Sequence, residues 1–368
     1  MRTVGALLER PHEPVQVMDL DLEPPRAGEI MVEIAATGVC HSDLSVADGS
    51  LGNPMPIVLG HEGAGTVAHL GSGVTGLAVG DHVVLAWLAQ CGECFYCVHD
   101  QAELCERAGL SFARSNLPDG SNRLSRHGAP VYQMAGLGTF AQHCVVPARS
   151  AVRIPRELPF ESAALIGCAA LTGFGAAVNT ADIHPGDNVA VVGGGGVGLN
   201  AVQGARASGA ARIIVVDPSP ERRQFARLVG ATDVLAPSAT LVQEVRELSE
   251  GRGVDVAFEV VGHADTIATA VKIARRGGQI VLVGAARADV LLSVPAFNGI
   301  VMTGKKIAGS LYGSANVRRD VPRLVELYRS GVLKLDELVT ERFTLAQAPE
   351  AVEYCRAGRG ARGVMIMK

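Results

Sequence analysis

Four cysteines, Cys91, Cys94, Cys97 and Cys105, open with the run Cys91-Gly-Glu-Cys94-Phe-Tyr-Cys97, a spacing that brings four thiolates around one tetrahedral ion. Zn²⁺ takes soft thiolates and imposes no geometry of its own, so a closed four-cysteine site pins a loop without doing chemistry. Two other uses of such a cluster fit less well. A disulfide framework belongs to exported chains, and nothing else in this chain points to export. A nucleic-acid-binding zinc module needs a basic face, whereas the basic residues are scattered and the net charge is −4. Candidates for a second ion are Cys40 in Gly38-Val39-Cys40-His41-Ser42-Asp43, His61 in Gly60-His61-Glu62-Gly63, and Cys168 in Gly167-Cys168-Ala169. Three protein ligands leave a fourth position for water or substrate, which separates a catalytic zinc from a closed one. Taken singly, each is more often a packed cysteine or a satisfied core histidine, and spacing alone does not assemble them.

A third chemical signal is Gly193-Gly194-Gly195-Gly196-Val197-Gly198, which satisfies GxGxxG at Gly193, Gly195 and Gly198. Its context gives it weight: the apolar run Asn188 to Val192 precedes it, a helical pattern follows, and Asp217 stands nineteen residues after Gly198 at the end of the next apolar run. Glycines let backbone approach a pyrophosphate, and a helix N-terminus offers it unpaired N–H groups. Asp217 would accept hydrogen bonds from a ribose diol and repel a 2′-phosphate, which favours NAD over NADP. Arg222 stands either beside the adenosine ribose or on a solvated helix face.

These groups need elements to hold them. From Asn188 onward the sequence predicts strands at Asn188 to Val192, Arg212 to Val216, Asp233 to Leu235, Val254 to Val260, Gln279 to Val283 and Lys306 to Leu311. Helical spacing fills Val197 to Ser208, Pro220 to Val229, Thr240 to Ser249 and Ala264 to Arg275. Such alternation specifies consecutive βα units and a parallel sheet. Residues 1 to about 170 read as short strands cut by Gly and Pro, among them Glu29 to Ala35, Gly65 to Leu70, Asp81 to Leu85 and His143 to Pro147, as in an irregular barrel-like β domain. Helices near Val321 to Arg329 and Gln347 to Cys355 precede a last strand at Gly363 to Met367. With 368 residues, 48% hydrophobic and 19% charged, the chain can bury a large core in two domains. An N-terminus without a long apolar stretch, and no uninterrupted apolar run of ~18 residues, place it in the cytoplasm. The slightly acidic balance argues against nucleic acid or anionic membrane as partner.

The run Gly60-His61-Glu62-x-x-Gly65-x5-Gly71-x-x-Val74, with Cys40-His-Ser-Asp43, the four-cysteine lobe, Val79-Gly-Asp-His-Val83, Gly167-Cys168 and the glycine motif, resembles zinc-containing medium-chain alcohol dehydrogenases along essentially the whole chain. The resemblance implies an α/β protein, a Rossmann doubly wound parallel sheet (170–312) inserted into a GroES-like, mainly β catalytic domain made of 1–169 and 313–368. The segment from Asp119 to Phe140 resembles the long, dimeric branch. By the same resemblance Cys40, His61 and Cys168 hold a catalytic zinc, giving two zinc ions per chain. Asp43 and Glu62 orient His61 and tune the metal's field, and Ser42 accepts the alcohol proton. Thr172, Val197 and Val283 flank the cofactor, while Arg362 pairs with the pyrophosphate. The implied reaction is reversible hydride transfer between an alcohol and NAD, with zinc acidifying the bound oxygen. Ile300-Val301-Met302-Thr303 is the expected edge strand that pairs across a two-fold axis in a homodimer.

Two departures stand out. Ser45 occupies the place of a relay histidine, so the outer proton path runs through water or ribose, and His41 replaces an Arg that grips pyrophosphate. Leu51 and Gly109 stand where glutathione-dependent formaldehyde dehydrogenases carry Asp and Arg, which disfavours a thiol-adduct substrate. Cys168 disfavours polyol dehydrogenases, which carry Glu there. The expected substrate pocket, Leu51, Trp87, Leu110, Met134, Ala135, Phe140, Ala285 and Tyr312, is mostly apolar and suits a primary or aromatic alcohol; for each, ordinary core packing is the alternative. A nicotinoprotein with permanently bound NAD is the other enzyme that would carry these motifs.

Overall fold

Past Asn188 the β-branched runs become a six-stranded, wholly parallel sheet. Its spatial order is Asp233–Leu235, Arg212–Val216, Asn188–Val192, Val254–Glu259, Ala274–Leu282, Lys306–Gly309. In sequence terms this is the order 3-2-1-4-5-6 of the doubly wound dinucleotide fold. Gly196–Ala207, Pro220–Leu228, Leu241–Leu248 and Ala264–Ile273 form its helices. Local chemistry sets their ends: Ser219 accepts the Arg222 N–H as an N-cap, and Pro220 follows at the first turn, where its missing N–H costs nothing. The structure, a computed structural model, describes residues 1–367. Its chain divides into one unit of Met1–Cys168, Asn316–Glu326 and the stretch from Leu335, and a second of Ala169–Ala315 and Leu327–Lys334.

In the first unit, Arg2–Leu8, Gln16–Leu22, Leu124–Arg126, Ala129–Gln133 and Ile57–Val58 close into a barrel. Beside it lies a seven-stranded sheet ordered Ala151–Arg153, His82–Leu85, Glu62–Leu70, Glu29–Gly38, Arg362–Ile366, Val339–Thr344, with His143–Pro147 also paired to Glu29–Gly38. Leu7, Ile30, Val32, Val58, Leu85, Phe140 and Val146 pack in one core at 0% exposure. The strand Glu29–Gly38 therefore forms the spine that brings Glu62 and Arg362 to either side of Gly38, which pairs with Glu62 and with Val364.

Two expectations change. Ile300–Thr303 is not an edge strand: Ala296–Val301 is helical, with Thr303 Oγ1 donating to the Gly299 carbonyl at 2.6 Å and Gly304 N–H to the Ile300 carbonyl at 2.8 Å. Pro295 opens this turn, and the sheet's edge falls at Lys306–Gly309 instead. Second, the helical run Phe160–Thr180 has the length and composition to cross a membrane, yet 78% of its apolar window is buried inside the protein, as in a core helix. Apolar on all sides, it offers no helical period by which sequence analysis could assign it.

Candidate active site

The ligand atoms of Cys91, Cys94, Cys97 and Cys105 lie within 4.8 Å of one another, and all are free thiols. Backbone N–H groups already point at sulfur: Cys91 donates to Cys105 Sγ and Cys94 to Cys91 Sγ, each at 3.3 Å. The N–H of Cys97 holds the Cys94 thiol down to about 6, while burial pushes Cys97 up to about 12. Four sulfurs this close do not ionise together without a cation among them, so the donor set suits a closed zinc site.

A second group, Cys40, His61, Glu62 and Cys168, is buried throughout, and its donor atoms again fall within 4.8 Å. Cys40 and His61 are brought in by the start of the short helix His41–Ala47 and the start of the strand Glu62–Leu70. Asp43, at 0% exposure, ties the two segments: its Oδ2 accepts the Cys40 N–H at 2.8 Å, and its Oδ1 accepts the Gly60 N–H at 3.0 Å and lies 3.3 Å from His61 Nδ1. Burial opposes a charge on His61, but Asp43 outweighs it and holds the imidazole well above its ordinary pKa. A hydrogen bond from Cys168 lowers the Cys40 thiol far below its usual range and raises Cys168 in turn, the behaviour of two sulfurs sharing one proton. Two sulfurs and one oriented imidazole form a donor set that fits a three-ligand zinc. Ser42 Oγ lies 3.9 Å from Cys40 Sγ, and Ser45 turns its hydroxyl to the His41 carbonyl at 3.3 Å. The His41 side chain is exposed.

Two residues expected to serve this site, Glu62 and Arg362, meet each other. The carboxylate at hydrogen-bond distance from His61 is that of Asp43, while the Glu62 carboxylate stands among the donors. Arg362, expected on a pyrophosphate, is buried with 6% side-chain exposure, and its Nη2 donates to Glu62 Oε2. A fully buried carboxylate requires a counter-charge, and Arg362 supplies it. Burial still pushes Glu62 up to about 7, with Arg362 pulling the other way. A lone Arg inside the apolar strand Ala361-Arg362-Gly363-Val364-Met365 was the sequence signal for this pair.

In the second unit, Gly193 adopts φ +112°, and a Cβ on Gly198 would overlap the Gly193 carbonyl oxygen, so the turn admits only glycine at both positions. Asp217, 3% exposed, receives the Gly194 N–H at 2.7 Å and the Ser219 N–H at 2.8 Å. Arg222 is half-buried beside Gly194, and its buried Nε has no hydrogen-bond partner among the described residues. Val197, Thr172 and Val283 are half-buried in the same unit, and Val283 donates its N–H to the Glu259 carbonyl at 2.8 Å.

The expected pocket residues divide. Met134, Phe140 and Tyr312 are at most 2% exposed, and Met134 and Phe140 belong to the core of the first unit. Leu51 and Leu110 are 38% and 51% exposed, and Ala285 is exposed too. Trp87 packs against the core and against Phe112, with ring centroids 4.9 Å apart. It also lines a small cavity with Ala135, Ser111, Asn116 and Arg149.

Comparison with known proteins bears on the whole chain. Residues 26–156 match the alcohol dehydrogenase GroES-like domain and residues 196–330 the zinc-binding dehydrogenase domain. An NDMA-dependent alcohol dehydrogenase of Amycolatopsis methanolica is 39% identical, covering 100% of this chain and 99% of the relative. An S-(hydroxymethyl)glutathione dehydrogenase of Synechocystis is 37% identical over 99% of this chain and 100% of its own length. The crystal structure of benzyl alcohol dehydrogenase from Acinetobacter calcoaceticus superposes with a TM-score of 0.94 at 29% identity, covering 100% of both chains. Likeness of this extent, in sequence and in fold, makes the protein an oxidoreductase that belongs to the zinc-containing medium-chain alcohol dehydrogenase family.

Proposed function

We propose that the protein oxidises primary alcohols, aromatic ones included, to aldehydes with NAD, reversibly, using two zinc ions per chain. Supporting this most directly is the buried group Cys40, His61 and Cys168, whose donor atoms lie within 4.8 Å with His61 steered by Asp43. Zinc, when bound, acidifies a substrate hydroxyl, and NAD accepts the hydride. The chain's own residues do the rest. Asp43 fixes the ring orientation of His61 and the backbone of Cys40, Ser42 Oγ takes the proton released by the alcohol, and Asp217 with Gly193, Gly195 and Gly198 holds the dinucleotide. Domain roles follow: 1–169 with 313–368 carries the metals and 170–312 the cofactor. We further place the enzyme in the cytoplasm, where its eight cysteines stay reduced. We assign it a homodimer, since Leu291 at 79%, Phe297 at 63%, Val301 at 66% and Met302 at 54% exposure form an apolar segment that a second copy would cover. A panel of alcohols assayed by NADH absorbance tests the function; no turnover of any primary alcohol by zinc-replete protein would overturn it.

A second version is favoured by the relative named for its dependence on NDMA. In it, NAD stays bound and is reoxidised by a second substrate. The mass of gently purified protein decides between them.

Cofactor choice rests on Asp217. Asp217→Gly removes an acceptor, a repulsive charge and the anchor of the Gly194 N–H, and hydrogen bonds to a charged group are worth about 1.5–3 kcal/mol. kcat/KM for NAD should fall roughly ten- to a hundredfold and the NAD:NADP preference should relax. A wild type that used NADP as readily as NAD would refute the assignment.

For Trp87→Ala, a pocket role raises kcat/KM for branched or aryl alcohols relative to ethanol by tens-fold, since each methylene of space is worth about 1–3 kcal/mol. The packing against Phe112 adds a thermal destabilisation of about 3–5 kcal/mol. A destabilised variant with an unchanged substrate ratio would remove Trp87 from the pocket.

A further inference from the structure

The strands Val339–Thr344 and Arg362–Ile366 run parallel, but their pairing skips a residue: Val339 pairs with Arg362 and Glu341 with Gly363. Thr340 is the residue left over. A bulge re-aims a side chain that a regular pleat would send elsewhere. Here the Thr340 hydroxyl turns onto the neighbouring strand. Its Oγ1 donates to the Arg362 carbonyl at 3.0 Å and accepts from the Arg362 N–H at 3.2 Å and the Ala361 N–H at 3.1 Å. Tyr354 Oη lies 3.2 Å away. There is no slack around this knot: Gly360 adopts φ +54°, and a Cβ there would overlap both the Tyr354 hydroxyl and Thr340 Oγ1. One hydroxyl therefore grips both polar backbone groups of Arg362.

What Arg362 does with that fixed backbone is hold Glu62 through Nη2 and Oε2. Glu62 is fully buried and stands within 4.8 Å of the donor atoms of Cys40, His61 and Cys168. Its Oε1 is buried with no hydrogen-bond partner. One oxygen of this carboxylate is thus tethered and the other is not, in a group that already stands beside the three metal donors. A carboxylate released from its tether at this distance becomes a fourth protein donor.

We propose that Thr340 is a positioning residue for the metal group: by fixing the backbone of Arg362 it keeps the guanidinium on Glu62, and so keeps that carboxylate out of the place substrate needs. The inference rests on the metal reading of Cys40, His61 and Cys168. Neither Thr340 nor Tyr354 belongs to the donor group, so the effect is transmitted through Arg362 alone.

The experiment uses full-length protein with cobalt in both sites, whose visible spectrum reports coordination, and titrates imidazole as a ligand for an open position. Thr340→Val keeps the shape and removes the hydroxyl. Its imidazole dissociation constant should rise about tenfold, the low end of what outer-partner changes cost a metal site. kcat should fall with it, while KM for NAD stays put. Thr340→Ser keeps the hydroxyl and should behave as wild type. Thr340→Cys, whose thiol bonds weakly, carries the same expectation as the valine variant should that one not fold. Circular dichroism melting checks the fold of each. Imidazole affinity equal to wild type in a folded valine or cysteine variant would overturn the role of Thr340 alone. A wild type whose cobalt spectrum does not respond to imidazole would overturn the metal reading, and this inference with it.

Discussion

Turnover by His61→Ala should fall by more than a hundredfold, with zinc content dropping from two ions per chain to one and the fold retained. His61 is 2% exposed and is the nitrogen donor in a group otherwise made of two sulfurs and a carboxylate. Changing an outer partner of a metal ligand costs about 10–100-fold, and removing the ligand itself costs more. Stability should suffer less than activity. Asp43, which lies beside the ring, still receives the backbone N–H groups of Cys40 and Gly60, so no buried carboxylate is orphaned. Asp43→Asn, by contrast, keeps the ligands and weakens their orientation, and should fall within the 10–100-fold range. Metal analysis, thermal melting and steady-state kinetics on the same preparations check all of this. A His61→Ala variant that kept two zinc ions, or more than a tenth of wild-type turnover, would sink the assignment.

The second unit was the more legible in the sequence, and the reason is local. A parallel sheet buried on both faces writes each strand as a continuous β-branched run, so Asn188–Val192 and Arg212–Val216 fall where sequence analysis expects them, to the residue. The glycine turn and Asp217 are legible for the same reason, since their roles depend on neighbours in sequence. The first unit depends on partners far away. Glu62 meets Arg362 across 300 residues, and Glu29 meets the buried Arg123 across 94, where Arg123 Nε donates at 3.0 Å. No periodicity encodes such pairings, and only the oddity of a charge within an apolar run hints at them. Phe140 and Met134 are ambiguous in another way. An apolar residue near a site in sequence can equally face the core behind it, and both do. Thr340 was invisible altogether, because a bulge is a property of two strands in register and neither strand alone carries it.

The same distinction between local and distant support makes the four-cysteine lobe the place where loss of one atom should do the most structural damage. Cys97→Ser should release one zinc ion and unfold the segment between Cys91 and Cys105 while the rest of the chain keeps its fold. That segment has almost no core of its own: Phe95 is 60% exposed, Val98 61% and Leu104 40%, whereas Ala102 and Cys105 are buried at 6% and 2%. Its hydrogen bonds are short-range turns, such as the Gln101 N–H to the Tyr96 carbonyl at 2.9 Å. Apolar burial on this scale cannot offset the conformational entropy of fixing the loop, at about 1–2 kcal/mol per residue for the backbone. A bound structural zinc contributes on the order of 10 kcal/mol to the segment it closes, which can. Serine keeps the shape of Cys97 but offers a harder, weaker donor. Hydrogen exchange should show loss of protection confined to this lobe, metal analysis one zinc per chain, and turnover near wild type when cool that is lost at a lower temperature. Full protection over the lobe with only one zinc ion bound would mean that the loop holds its place without the metal, and two zinc ions still bound would mean that Cys97 is not one of the ligands.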